Sequence, residues 1–227
     1  MIKMMNEQTN WQTDEAKEYT HDTDKGSIVD LPTRGYITLS GVGNADPNNR
    51  DFIDRADALC KVADFLANAP ENDLEVEGYT PFKRYPLQAM WQRVTPGRDA
   101  QWRYQLMIRQ PEFITKEILQ SAEFSILNVD QSYLWDIRLL HFSEGLEAQI
   151  GNVGTIDRRG RVNSKLQQFI RDSGYRSLAA EGWHMELYLD DVARTPGDQW
   201  HTILRNGIEP MDITKVMKRG VPIVEGK

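Results

Sequence analysis

Apolar residues recur at two different spacings along this chain, and the switches between them mark its elements. In SIVDLPTRGYITLSGVG, residues 27–43, an apolar pair, a proline and then an alternation through Tyr36, Ile37, Thr38 and Leu39 predict two strands that end in a glycine loop. Phe52, Ala56, Leu59, Ala63 and Leu66 follow at helical spacing, and the pattern stops before Pro70, which predicts a helix. After a polar insertion, PLQAMWQRV and WRYQLMIRQP predict two more strands. PEFITKEILQSAEFSIL then predicts a connecting helix with Thr115 as its N-cap. The second half begins with IRLLHFSEGLEAQIGNVG, a predicted hairpin. RVNSKLQQFIRDSGY places Val162, Leu166, Phe169 and Ile170 on one helical face, with Gly174 as its stop, and WHMELYLDD and QWHTILRNG predict the last two strands.

The order strand, strand, helix, strand, strand therefore occurs twice, over residues 28–110 and 134–208, with LSGVGNADP and QIGNVGTID at matching places. This predicts an α+β fold, a pseudo-twofold repeat in one domain spanning residues 26–210. Its curved antiparallel sheet carries helices on one face and leaves the opposite face free to close around a ligand. Residues 1–25 are polar and without periodicity, predicting a loosely held arm. Residues 211–227 form a C-terminal extension to which no role attaches.

Composition narrows the function classes. The 227 residues carry a formal net charge of −7, which argues against binding a nucleic-acid backbone, a task that needs clustered Lys and Arg. No apolar run reaches the roughly 18 residues of a membrane span, and the polar start MIKMMNEQTNWQ lacks the apolar core of a signal peptide. The single cysteine, Cys60, lies on the apolar stripe of a predicted helix and reads as a core residue in a reducing compartment, so a cytoplasmic protein is expected. His21, His141, His184 and His201 show no zinc-ligand spacing, and the glycine phrases lack the pattern of a nucleotide loop, so neither a metal nor a cofactor is expected. DRRGR, residues 157–161, reads as a solvated helix entrance. No nucleophile elbow is present.

Four stretches carry a family resemblance: YPLQAMWQ, WRYQLMIRQPEFITKE, EGLEAQIGNVG, and WHMELYLDD with ARTPGDQWHTILRNGI. In these the chain resembles the gyrase-inhibitor-like (GyrI-like) small-molecule-binding family, over roughly residues 28–208, and within it the stand-alone branch. The resemblance implies a pseudo-twofold fold with a pocket between its repeats. It also implies either of two functions: hydrolysis of cyclopropanoid genotoxins by water addition, or sequestration of planar or cationic aromatic compounds without turnover. A DNA-reading head is missing from the pattern, and nothing in the residues supports binding to DNA gyrase. The chain departs from the family pattern at Gln88, where relatives carry Glu, and at Gln92, where they carry Trp.

Strand alternation separates His184, Glu186, Tyr188 and Asp190 from Met185, Leu187 and Leu189. The apolar set is expected under the helices, so that Glu186 and Tyr188 face the open side. From the residues alone Glu186 reads as a solvated side chain on an exposed sheet face. The resemblance makes it the polar anchor of the pocket, with Glu186 and Tyr188 as catalytic candidates and Trp91, Trp102, Tyr104 and His184 as ligand-binding candidates. Trp135, Trp183 and Trp200, at expected strand starts, read as structural.

Overall fold

The computed structural model describes residues 8–43, 48–95, 102–156, 160–179 and 183–211. In chain order these form α1 (Trp11–Asp14), β1 (Ser27–Gly43), α2 (Arg50–Ala67), β2 (Leu87–Arg93), β3 (Trp102–Gln110), α3 (Lys116–Ser125), α4 (Gln131–Asp136), β4 (Arg138–Val153), α5 (Arg161–Asp172), β5 (Tyr175–Ser177), β6 (Trp183–Tyr188) and β7 (His201–Pro210). The sheet is antiparallel throughout, in the order β4-β1-β3-β2-β6-β7-β5, and a further pairing of β4 with β7 curves it into a barrel. The fold is mixed α+β.

The helices follow their local signals. Asn49 caps α2 by accepting from the Asp51 amide, and nine α2 residues from Phe52 to Ala67 are buried. Thr115 caps α3 as expected, its hydroxyl accepting from the Ile118 amide. On α5, Leu166 and Ile170 are buried in a second cluster with Ala148, Ile150 and Leu204, and Gly174 follows the helix end.

Two expected hairpins are instead single long strands. Residues 27–43 form one 17-residue strand and residues 138–153 one of 16 residues. The first half of β1 pairs with the second half of β4 (Val29 opposite Glu147). Its second half pairs with the start of β4 and with β3 (Tyr36 opposite Leu140 and Arg109). Pro32, read as a turn, lies where this pairing skips from Leu31 opposite Gly145 to Thr33 opposite Ser143. Proline has no N–H to give a ladder, and Gly145 has φ 73°, so together they bend the ribbon without ending it.

The N-terminal segment also differs from expectation: from residue 8 it is packed, not loose. Trp11 and Tyr19 are buried, and the Trp11 indole donates to the Arg84 carbonyl at 2.8 Å. Glu18 takes a bidentate bond from Arg34, both contacts at 2.7 Å, and Glu15 accepts from Arg109 at 2.6 Å. Arg205 donates to the Glu18 carbonyl and Gln149 to the Lys17 carbonyl. The segment is thereby tied to β1, β3, β4 and β7 on the inner face of the barrel. The C-terminal extension after Met211, and Asp157 to Arg159 of the basic cluster, lie outside the described residues.

Candidate functional site

Packing on the two sheet faces reverses the expected placement of Glu186. α2 lies over β1 and β3, α5 over β4, β5 and β7, and β2 and β6 run between them. The residues under these helices are those in register with Glu186, namely Ala89 on β2 and Leu204 on β7, the latter in the cluster beneath α5. Tyr188, two residues on, has its ring 5.8 Å from Phe52 of α2. The helix-covered face is therefore the face of His184, Glu186 and Tyr188, while Met185 and Leu187 belong to the inner face of the barrel. Alternation divides a strand into two faces without saying which lies outward, and closure of the sheet buries both.

Glu186 is 3% exposed, which excludes a solvated side chain. The i, i+2, i+4 spacing along β6 lines up three polar groups that satisfy one another. His184 Nε2 lies 2.6 Å from Oε1 of Glu186, and the Tyr188 hydroxyl donates to Oε2 at 2.6 Å. With the carboxylate ionised, His184 donates from Nε2. Each carboxylate oxygen then holds one of these donors.

Around this triad stands an aromatic cluster. Trp91, opposite His184 in the β2–β6 register, stacks on Phe52 with centroids 5.3 Å apart and lies 5.1 Å from Tyr104. Trp200 meets Tyr188 edge-on at 5.4 Å and donates its indole N–H to the Thr195 carbonyl at 2.7 Å, the structural part expected of it. Trp102 approaches His184 edge-on at 6.3 Å. All six residues singled out from sequence thus come together on one face. They differ in access: Trp91, Tyr104, Glu186 and Tyr188 are buried, whereas Trp102 and His184 are half-buried. Tyr104 is held by donating to Asp51 of α2, which also pairs with Arg55, and burial, then this bond, push the phenol's pKa upward. Trp91, fully enclosed, is a core ring that backs the site.

Sequence reasoning missed a second group of polar residues, on the inner face. Tyr36 donates to Glu144, Arg205 lies 3.5 Å from the other Glu144 oxygen, and Arg205 also bonds Gln149 at 2.9 Å. Glu144 and Glu147 are three apart yet line the same cavity, on either side of Gly145, whose φ of 73° departs from strand geometry. The signal present in the sequence was the pair of glutamates in EGLEAQ around that glycine. Trp183, expected to be structural, lines this cavity at 38% exposure, and Trp135 lies on α4, a helix the sequence did not predict, at 69%. Cys60 is buried in α2, and burial pushes its thiol up to about 12, as suits a core residue. Among the described residues no helix is long and apolar enough to cross a membrane, and no group of three or more His, Cys, Asp or Glu is placed to hold a metal ion.

Comparison by sequence finds no matching family model and no matching curated protein. Solved structures do match. A hydrolase from Listeria innocua has 25% identity and a TM-score of 0.74, over 89% of this chain and all of its own. A second hydrolase structure from Listeria innocua gives 24% identity and the same TM-score and coverage. The chain is similar to these proteins over nearly its whole length, so its fold is one used by proteins described as hydrolases.

Proposed function

We propose that the protein is a cofactor-independent hydrolase of small molecules, of the GyrI-like kind, that opens cyclopropanoid compounds by adding water at Glu186. The observation that carries this reading is the buried carboxylate with His184 and Tyr188 bonded to its two oxygens. A carboxylate fixed in this way, out of bulk water and beside aromatic rings, has the form of a general base. The 25% identity to a hydrolase from Listeria innocua supports the reaction class.

In the proposed reaction a water held by Glu186 attacks a carbon of the strained ring. A C–O bond forms, the ring C–C bond breaks, and its electron pair moves through the conjugated system to the carbonyl oxygen. Glu186 takes the water's proton and passes it to the new oxyanion, Tyr188 turns its one O–H from the carboxylate to that oxyanion as the carboxylate is neutralised, and His184 keeps the carboxylate oriented. Trp102, half-buried at the edge of the cluster, offers a flat surface for the substrate ring.

The test is incubation with a cyclopropanoid alkylator, followed by mass spectrometry. Hydrolysis adds one water to the compound; sequestration adds nothing. Glu186→Gln keeps the shape of the site and removes the base, so turnover is expected to fall by roughly 10²-fold while binding persists. Tyr188→Phe should slow ring opening with little effect on affinity. Binding without turnover by the wild type, weakened in Glu186→Gln for cationic ligands only, would instead make Glu186 a counter-charge in a sequestering protein.

A further inference from the structure

Half of β4 has an open edge. From Glu147 to Val153 the strand is closed by β7, but Arg138 to Leu146 run beside β1 on one side and, among the described residues, beside no strand on the other. Arg138 to Ser143 are accordingly all exposed or half-buried, whereas Glu147 to Gly151 are buried. A bare edge presents unpaired N–H and C=O groups as a template for another strand, and proteins ordinarily blunt it with charge, proline or brevity. This one carries apolar side chains instead: Leu139, Leu140 and Phe142, with Leu140 45% exposed.

We propose that this edge is an interface with a second copy of the chain, the two β4 strands pairing antiparallel about a twofold axis at His141. A twofold brings one strand edge against itself only in the antiparallel sense. With His141 opposite itself, Leu140 stands opposite Phe142 of the second copy and Arg138 opposite its Glu144. Arg138, Leu140 and Phe142 are in register with Thr38, Tyr36 and Arg34 of β1, and Glu144 accepts from the Tyr36 hydroxyl, so all four lie on one face. The register thus joins apolar to apolar and guanidinium to carboxylate. Oε2 of Glu144 has no hydrogen-bond partner among the described residues, its ion-pair contact with Arg205 being 3.5 Å long, and Arg138 of the second copy brings a donor toward it. A slip of one residue sets Arg138 against Ser143 and Leu140 against His141, losing both matches.

The ends of the edge match in the same way, because antiparallel pairing sets the start of one beside the end of the other. At the start stands exposed Trp135 on α4, whose carbonyl accepts from Arg138. Arg138 is also near enough to Glu123 for its charge to act on that carboxyl, which brings Phe124 and Leu127, both almost fully exposed, to the same end. At the other end Leu178, 54% exposed, donates its amide to the carbonyl of Gly207, the residue opposite Glu147. The twofold carries Trp135 of each copy toward Leu178 of the other. Phe124 and Trp135 alone offer on the order of 300 Å² of aromatic surface. With the leucines and the strand edge added, the patch approaches the ~800 Å² per partner of a stable interface.

Sedimentation velocity on the full chain should show a dimer at micromolar concentration. Leu140→Lys puts an ammonium into each apolar pair and should weaken the dimer at least tenfold, with the circular dichroism spectrum unchanged because Leu140 is exposed. Trp135→Glu should weaken it as well. Cysteine at the axis reads the register. His141→Cys should form a disulfide-linked dimer on mild oxidation, since directly opposite Cα atoms lie about 4.5–5.5 Å apart. Ser143→Cys, which faces Leu139 of the second copy, should not, and Cys60 is buried away from the edge in α2. A wild-type monomer, undiminished dimerisation by Leu140→Lys, or crosslinking by Ser143→Cys and not by His141→Cys would each overturn the assignment. A monomer in which the edge amides of β4 resist hydrogen exchange would overturn it in favour of the chain's own residues 212–227 as the cover.

Discussion

Glu186 and Glu147 are both buried carboxyl groups, and what distinguishes them is their donors. Glu186 has His184 and Tyr188 on its two oxygens, whereas Glu147 faces Glu144 and an open cavity with one oxygen that has no hydrogen-bond partner among the described residues. The first is prepared to act as a fixed base; the second is kept protonated by burial and by the neighbouring Glu144. A smaller residue-scale decision sets the aromatic wall. Gly41 lies opposite Tyr104, and a Cβ there would sit 2.2–2.5 Å from the ring and hydroxyl of that tyrosine. Glycine alone lets the ring lie across β1 and reach Asp51. Gly41→Ala should therefore displace Tyr104, break its bond to Asp51 and destabilise the protein by about 1–3 kcal/mol, read from urea unfolding. An unchanged midpoint would mean that the ring has an alternative seat.

At the scale of elements, the N-terminal segment acts as a strap across the inner face, holding Arg34 and Arg109 through Glu18 and Glu15. Arg34 is 11% exposed and Glu18 18%, so removing the acid leaves a guanidinium largely out of water. Glu18→Ala is expected to cost about 3 kcal/mol by chemical denaturation; a loss below ~0.5 kcal/mol would place the pair among ordinary surface bridges. Polar composition concealed this strap, because Glu15 and Glu18 find their partners on β1 and β3, far along the chain. The elements with local signals were legible: α2 and α5 from helical spacing, α3 from Thr115, and β2, β3, β6 and β7 from their apolar runs. The continuity of β1 and β4 was not, since Pro32 and Gly145 are turn residues by type and become bend residues only through the pairing of the two strands. Of the site, the grouping of His184, Glu186 and Tyr188 with Trp91, Trp102 and Tyr104 was readable from strand parity and resemblance. Its side of the sheet was not.

For the whole molecule, closure of the sheet produces an outer face between α2 and α5 and an inner face around a cavity, each with a buried carboxyl. The inner one links stability to pH. In the native state Glu147 holds its proton up to about 8, whereas in the unfolded chain it releases it near the ordinary 4.5. The stability this proton lends is complete below the unfolded value and is lost as pH rises toward 8. Glu147→Gln, permanently neutral, should gain stability relative to the wild type across that window, and the advantage should level off above it. Urea midpoints at several pH values check this, and parallel profiles would show that the group titrates normally. The outer face carries the proposed reaction, and the most direct measurement is turnover of a cyclopropanoid substrate by Glu186→Gln and Glu147→Gln side by side. Water addition lost by roughly 10²-fold in the first and retained in the second is the expected result. Full activity in Glu186→Gln, or loss confined to Glu147→Gln, would contradict the assignment of the chemistry to Glu186.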